Sequence, residues 1–152
     1  MDSAEIELRP VTEADRQAWS RLWTAYLAFY ETELPREVHD AAFSQLLSDD
    51  PRKFRGLIAW RGTTALGLVH WIAHAHMWRP EGTTYLQDLY VAPEARGTGL
   101  GRRLIEAVYA DADGRGAPGV YWLTQAGNAT ARQLYDRVGT LTDFIRYDRP
   151  SG

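Results

Sequence analysis

Arg96-Gly97-Thr98-Gly99-Leu100-Gly101 puts an arginine and three glycines into six residues. Before it, Tyr85-Leu86-Gln87-Asp88-Leu89-Tyr90-Val91 reads as a strand, because β-favouring residues dominate and Pro93 soon follows. After it, Leu100, Leu104, Ile105 and Val108 recur at helical spacing, so a helix begins near Thr98 or Gly99. Glycines in such a turn allow positive φ and leave no Cβ between ligand and backbone, so several N–H groups converge. The helix start adds unpaired donors and the positive end of its macrodipole. Strand, turn and helix therefore make a seat for a phosphate or pyrophosphate. The P-loop pattern requires Gly-Lys-Ser/Thr, and this stretch has no lysine. The dinucleotide pattern Gly-x-Gly-x-x-Gly spaces its glycines differently.

The elements that must carry this seat can be read along the chain. Ile6 and Leu8 suggest a short strand ended by Pro10, and Thr12-Glu13-Ala14-Asp15 resembles a capping box. Trp19, Leu22, Trp23, Tyr26, Leu27 and Tyr30 form one face of a long amphipathic helix, with the aromatic stripe in the core. Tyr30 and Glu31 at its far end are candidates to border a pocket. A second helix runs from Arg36 to Ser48 with Val38, Ala42, Phe43, Leu46 and Leu47 inward. Phe54–Trp60 and Ala65–Met77 are strands joined by a turn at Arg61-Gly62-Thr63, and Arg79-Pro80-Glu81-Gly82 is a turn into the next strand. After the glycine-turn helix come a loop from Gly114 to Gly119 and a short buried strand, Val120–Leu123. A helix from Asn128 to Val138 and a last strand, Phe144–Tyr147, complete the order. That order, β-α-α-β-β-β-α-β-α-β, is an α/β fold: a mixed sheet flanked by helices.

His70, His74 and His76 share one face of their strand. No carboxylate or cysteine completes a metal shell nearby, and two-residue steps separate the side chains by about 7 Å. No metal is expected. At 152 residues the chain reads as one domain with no linker or repeat, large enough to bury about 68–70% of its unfolded surface. It has no cysteine, which excludes disulfides, thiolate metal sites and a cysteine nucleophile. No apolar run reaches membrane-spanning length and no signal-peptide pattern opens the chain, so the expected location is cytoplasmic. A net charge of -3 leaves no basic field for nucleic acid.

The glycine turn, with the strand before it, resembles the acetyl-CoA-binding signature of the GNAT superfamily of N-acetyltransferases, Arg/Gln-x-x-Gly-x-Gly/Ala. A second stretch strengthens the resemblance: Asn128, Ala131 and Tyr135 match the superfamily's Asn-x-x-Ala-x-x-x-Tyr on a helix, about 30 residues further on. The likeness covers nearly the whole chain and is greatest to the branch with yeast histone/polyamine acetyltransferases.

The resemblance implies an N-acetyltransferase moving acetyl from acetyl-CoA to a primary amine, polyamine-like or lysine-type, by direct attack in a ternary complex. It implies that Leu89, Tyr90 and Val91 pair with the pantetheine arm through backbone groups. Gly97, Thr98, Gly99, Leu100, Gly101 and Arg102 would hold pyrophosphate, with Arg96 closing the turn. Asn128 and Ala131 would line the pantetheine arm, and Tyr135 would protonate the leaving thiolate. An N-cap role for Asn128 and a core role for Tyr135 are the structural alternatives. The family's polyamine enzymes place a glutamate where Gln87 stands, and Gln cannot take a proton. Asp88 is then the first candidate base, followed by Glu31, then His74 or His76. Tyr30, Glu31 and Gln87 are the acceptor-side candidates. The branch often dimerises, so a homodimer is expected. A longer acyl-CoA, or a non-catalytic acyl-CoA sensor on the same fold, are the alternatives.

Overall fold

A computed structural model describes residues 5–151. Its sheet has five strands in the order β1 (Ile6–Pro10), β2 (Arg55–Arg61), β3 (Thr64–His76), β4 (Arg79–Val91) and β5 (Val120–Tyr121). The first four are antiparallel, and β5 joins β4 in parallel. Two helices, α1 (Arg16–Phe29) and α2 (Arg36–Leu47), cover one face, and α3 (Leu100–Gly114) and α4 (Ala129–Val138) cover the other. This is the α/β architecture expected from the element order.

Each face has its own core. Trp19, Leu22 and Trp23 of α1 meet Phe43 and Leu46 of α2 over Ile58 and Leu68. On the far side Leu100, Leu104, Ile105 and Val108 of α3 press on Leu66, Val69 and Leu86. Residues three apart, such as Leu66 and Val69, share a face because β3 bulges at Leu66: the register passes from Ala59↔Gly67 to Trp60↔Ala65. A second bulge falls in β4. There the register passes from His70↔Asp88 to Trp71↔Leu86, so Gln87 is the extra residue. Leu86 and Leu89 thus face α3, while Asp88 and Tyr90 face α1.

Four sequence expectations are corrected. Phe144–Tyr147 is not a strand: among the described residues nothing pairs with it, and residues 140–151 stay outside helix and sheet. Arg79–Gly82 is not a turn, because β4 begins at Arg79 and the reversal lies at Met77 and Trp78. Gly82 instead takes φ +86 within β4, where a Cβ would meet the His74 carbonyl oxygen at 2.8 Å. The strand at Val120 is two residues long, not four and not buried, since Tyr121 is 42% and Leu123 51% exposed. In α2, Val38 and Leu47 point outward, and His39 takes the inward position, edge-on to the Trp23 ring at 4.9 Å. The lack of any helix long and apolar enough to cross a membrane holds for the described residues.

Candidate active site

The β4–β5 ladder consists of Thr84↔Val120 and Tyr85↔Tyr121 and stops there. From Asp88 to Val91, β4 keeps its pairing with β3 on one side, and among the described residues no strand joins Gln87–Val91 on the other. An open backbone edge with alternating N–H and C=O groups is what an extended amide-bearing ligand can join as an added strand. That edge runs directly into the glycine turn.

The turn is shaped by local forces. Gly97 at φ +79 and Gly99 at φ +81 adopt the left-handed conformation that other residues resist. Arg96 folds back so that its Nε donates to the Val91 carbonyl at 3.2 Å, and the Thr98 hydroxyl donates to Ala95 O at 2.6 Å. Among the described residues, the N–H groups of Gly97 to Arg102 make no backbone hydrogen bond of normal geometry, and the first into α3 is Arg103 N–H to Gly99 O. Gly99 is the N-cap, so donors and macrodipole converge where the open edge of β4 ends. Gly101 is a glycine for a different reason. A Cβ there would press on Leu134 Cδ2 of α4 at 3.1 Å, so its absence lets α4 approach α3. The Arg102 side chain is turned to Glu106 at 3.2 Å.

α4 forms the opposite wall. Asn128 caps it, its side-chain oxygen accepting from Ala131 N–H at 3.3 Å, while among the described residues its amide NH2 makes no hydrogen bond. Tyr135 lies two turns on, partly buried, edge-on to Trp122 with centroids 5.5 Å apart. Burial, then the nearby Tyr30, push its phenol pKa up, so it holds its proton at neutral pH. Tyr30 of the α1 terminus therefore does stand near Tyr135. Glu31 follows it at φ +54, the left-handed position of a helix stop in which Thr32 N–H bonds Leu27 O at 3.0 Å and Glu31 N–H bonds Ala28 O at 2.9 Å. Gln87 is exposed at the bulge.

Asp88 has a setting that the one-dimensional pattern did not reveal. It is 6% exposed. Its Oδ2 lies 2.8 Å from His70 Nδ1 and accepts from Trp23 Nε1 at 3.3 Å, and the Tyr26 hydroxyl also reaches the carboxylate. Trp19 Nε1 donates to His70 Nε2 at 2.9 Å. An indole N–H can only donate, so His70 Nε2 accepts and Nδ1 carries the proton given to Asp88. Burial raises the Asp88 pKa, but the His70 imidazole, then the Tyr26 and Trp23 hydrogen bonds, outweigh it and hold the carboxyl below its usual range. Burial and the Asp88 charge in turn drive the Tyr26 phenol far upward. Trp19, Trp23 and Tyr26 were legible only as core residues, and His70 only as one of three histidines on a strand face.

The other strand histidines are engaged separately. His74 Nε2 meets the Tyr121 hydroxyl at 2.8 Å, and His76 Nδ1 accepts from Trp78 N–H at 3.1 Å. Among the described residues no group of three His, Asp or Glu side chains is arranged to hold a metal.

Comparison with known proteins agrees with this geometry. The model of the Acetyltransferase (GNAT) family matches residues 16–140. A relative in Saccharomyces cerevisiae, D-amino-acid N-acetyltransferase HPA3, is 38% identical over 151 residues, spanning 98% of this chain and 93% of its own. Among solved structures, the aminoglycoside N-acetyltransferase AAC(6')-Iy in complex with CoA superposes with a TM-score of 0.82 at 17% identity, covering 95% of this chain and 94% of that one. A ribosomal-protein-alanine N-acetyltransferase from Brucella melitensis biovar Abortus gives 0.76 at 17% identity, covering 96% and 99%. These two share the fold.

Proposed function

The chain belongs to the GNAT family of acetyltransferases, and from that premise we propose that it carries acetyl from acetyl-CoA to the primary amine of a small acceptor. The observation that carries this reading is the gap between β4 and β5, open along Gln87–Val91 and ending on the glycine turn, with Tyr135 on its other wall. In that gap Leu89, Tyr90 and Val91 pair with the pantetheine amides through backbone groups. The N–H groups of Gly97, Thr98, Gly99, Leu100, Gly101 and Arg102 take the pyrophosphate, Arg96 keeps the turn closed, and Asn128 and Ala131 border the pantetheine arm.

Chemistry then needs little beyond position and polarisation. The amine lone pair attacks the thioester carbon while a backbone N–H of the Leu89–Val91 stretch polarises its oxygen. The C–S bond breaks, and the leaving thiolate takes the proton of Tyr135. With no cysteine in the chain, attack is direct rather than through an acetyl-cysteine enzyme. The acceptor arrives as an ammonium and must lose a proton. Asp88 serves this step through the Tyr26 hydroxyl, or a water in its place. A carboxylate held anionic also attracts the incoming cation.

Tyr30, Glu31 and Gln87 border the acceptor. Polyamine-like and lysine-type amines remain candidates, and the relative named for D-amino acids adds the α-amine of an amino acid. A homodimer is part of this reading, supported by exposed apolar surface at Met77, Trp78 and Phe144. A cytoplasmic location is part of the same reading. The test is thiol release from acetyl-CoA over a panel of D- and L-amino acids, polyamines, aminoglycosides and lysine peptides. Amine-dependent release with one class is expected. Release that no amine accelerates would refute the proposal.

A further inference from the structure

We infer that Trp19 is a positioning residue for the transfer: its indole N–H keeps His70 neutral and thereby leaves the charge of Asp88 to the acceptor ammonium. This rests on the transferase reading above and deepens it by naming a core residue that sets the charge of the site.

Trp19 lies on α1 at 1% exposure, stacked on Trp23 with ring centroids 5.0 Å apart and tilted on Phe43 at 5.2 Å. Packing accounts for an aromatic ring there, but not for where its polar edge points. Nε1 donates to His70 Nε2 at 2.9 Å, and the other imidazole nitrogen, Nδ1, donates to Asp88 Oδ2 at 2.8 Å. An indole N–H donates and never accepts. A proton on Nε2 would set two N–H groups head-on, break the Trp19 bond and leave a buried donor unsatisfied. With its side chain 6% exposed, His70 has little solvent to repay that loss.

The titratable and charged groups around His70 are few. From α1 come Trp19, and Trp23 and Tyr26 that reach Asp88; from β4 comes Asp88 itself. On β2 the partner is Gly56, on which a Cβ would stand 3.1 Å from the imidazole Cδ2. From α2, His39 meets the Trp19 and Trp23 rings edge-on at 6.2 and 4.9 Å. Arg16 lies over the Phe43 ring and pairs with Asp40 at 3.0 Å. Among the described residues no lysine or arginine pairs with Asp88.

A neutral imidazole beside an ionised carboxylate leaves one negative charge unmatched. Trp23 and Tyr26 spread that charge through hydrogen bonds but carry none of the opposite sign. The acceptor ammonium is the missing cation, attracted about four times as strongly near a protein surface as in water. Its proton then passes to the Tyr26 oxygen as the Tyr26 proton passes to Asp88, giving a free amine and a neutral carboxyl group. An imidazolium at His70 would oppose both events, repelling the ammonium and making the carboxylate a weaker base.

Nitrogen-15 spectra of the histidine side chains in the parent are the first arm of the test. The chain has four histidines, and His70→Asn identifies the His70 signals by their loss. They are expected to show the neutral Nδ1–H form throughout about pH 5 to 8, where histidine ordinarily changes charge. His70 signals that titrate in that span, or that report the Nε2–H form, overturn the inference. Trp19→Phe keeps a ring between Trp23 and Phe43 and removes the donor, so in it His70 is expected to titrate. The ratio of parent to variant kcat/KM for the acceptor cancels the acceptor's own ionisation. That ratio is expected to be flat above the titration and to rise about ten-fold per pH unit below it, with acetyl-CoA KM unchanged. The rise is expected to vanish when His70→Asn is added, because asparagine puts an NH2 near the Nδ1 position and takes no proton. A ratio flat across pH, as packing alone would give, overturns the role of Trp19. So does a rise that survives His70→Asn, which would belong to His39. Where Trp19→Phe fails to fold by circular dichroism, the spectra of the parent decide alone. Thiol release that no amine accelerates refutes the transferase reading instead, and the spectra still judge the state of His70.

Discussion

Asp88→Asn removes the charge of the buried carboxylate and little else. His70 Nδ1 and Trp23 Nε1 both address Oδ2, so an asparagine oxygen in that place still accepts from both. The Tyr26 hydroxyl can donate to the amide oxygen or accept from the new NH2. What is lost is charge assistance. A hydrogen bond to a charged group contributes about 1.5–3 kcal/mol against about 0.5–1.5 for a neutral one. Two weakened bonds give a loss of about 2 kcal/mol at neutral pH, a fall of about 4–8 °C in Tm for a chain of this length. Acid decides the sign. The folded-state pKa of Asp88 lies below its unfolded value, so its stabilisation is present above the unfolded pKa, near 3.9, and fades as pH falls through the folded pKa. Melting curves of parent and variant are therefore expected to differ most at neutral pH and to converge in acid. Thiol-release rates on the same pair should show kcat/KM falling about 100-fold, the lower end of what general-base losses cost. Equal stability at neutral pH, or a gap that widens in acid, would refute the ionised, hydrogen-bonded carboxylate. Unchanged kcat/KM with the stability loss intact would leave Asp88 a purely structural anion.

Glu31→Gly relieves a left-handed residue at the end of α1. A gain of about 1–2 kcal/mol from strain, less about 0.5–1 for the entropy of glycine, leaves a small net stabilisation in thermal melts. If Glu31 touches the acceptor, acceptor KM rises while acetyl-CoA KM holds. Gly99→Ala meets no neighbour within 4 Å, so its cost is backbone strain of about 1–2 kcal/mol, and its Cβ stands in the open space where a phosphate would approach the turn. Acetyl-CoA KM is expected to rise about ten-fold, the worth of one lost hydrogen bond. Gly62→Ala, at φ +59 in the exposed β2–β3 turn, is the control and should lose similar stability without the KM change.

The parts of the site that depend on neighbours in sequence were legible. The glycine turn, the N-cap at Asn128 and the apolar stripe of α1 follow from local spacing, because helices and tight turns are decided over a few residues. The parts that depend on pairing were not. The bulges at Leu66 and Gln87 reset which side chains share a face, and neither residue type announces a bulge. That reset is what faces Asp88 toward His70 and α1. Phe144–Tyr147 has the composition of a strand, but composition cannot say where the partner strand is, and the described residues hold none for it. Val38 and His39 exchanged roles because the Trp19–Trp23 pair offers a polar aromatic ring an edge contact that a periodicity argument ranks below an aliphatic one.

Initial rates of thiol release with the best acceptor, in the parent and in Tyr135→Phe, test the central claim most directly. Loss of the hydroxyl alone leaves the ring on Trp122 and removes the proton for the leaving thiolate. The expected result is a kcat lower by about 10²–10⁴-fold with acetyl-CoA KM nearly unchanged. A kcat equal to the parent's would contradict the account, and would return Tyr135 to the core as a packing residue.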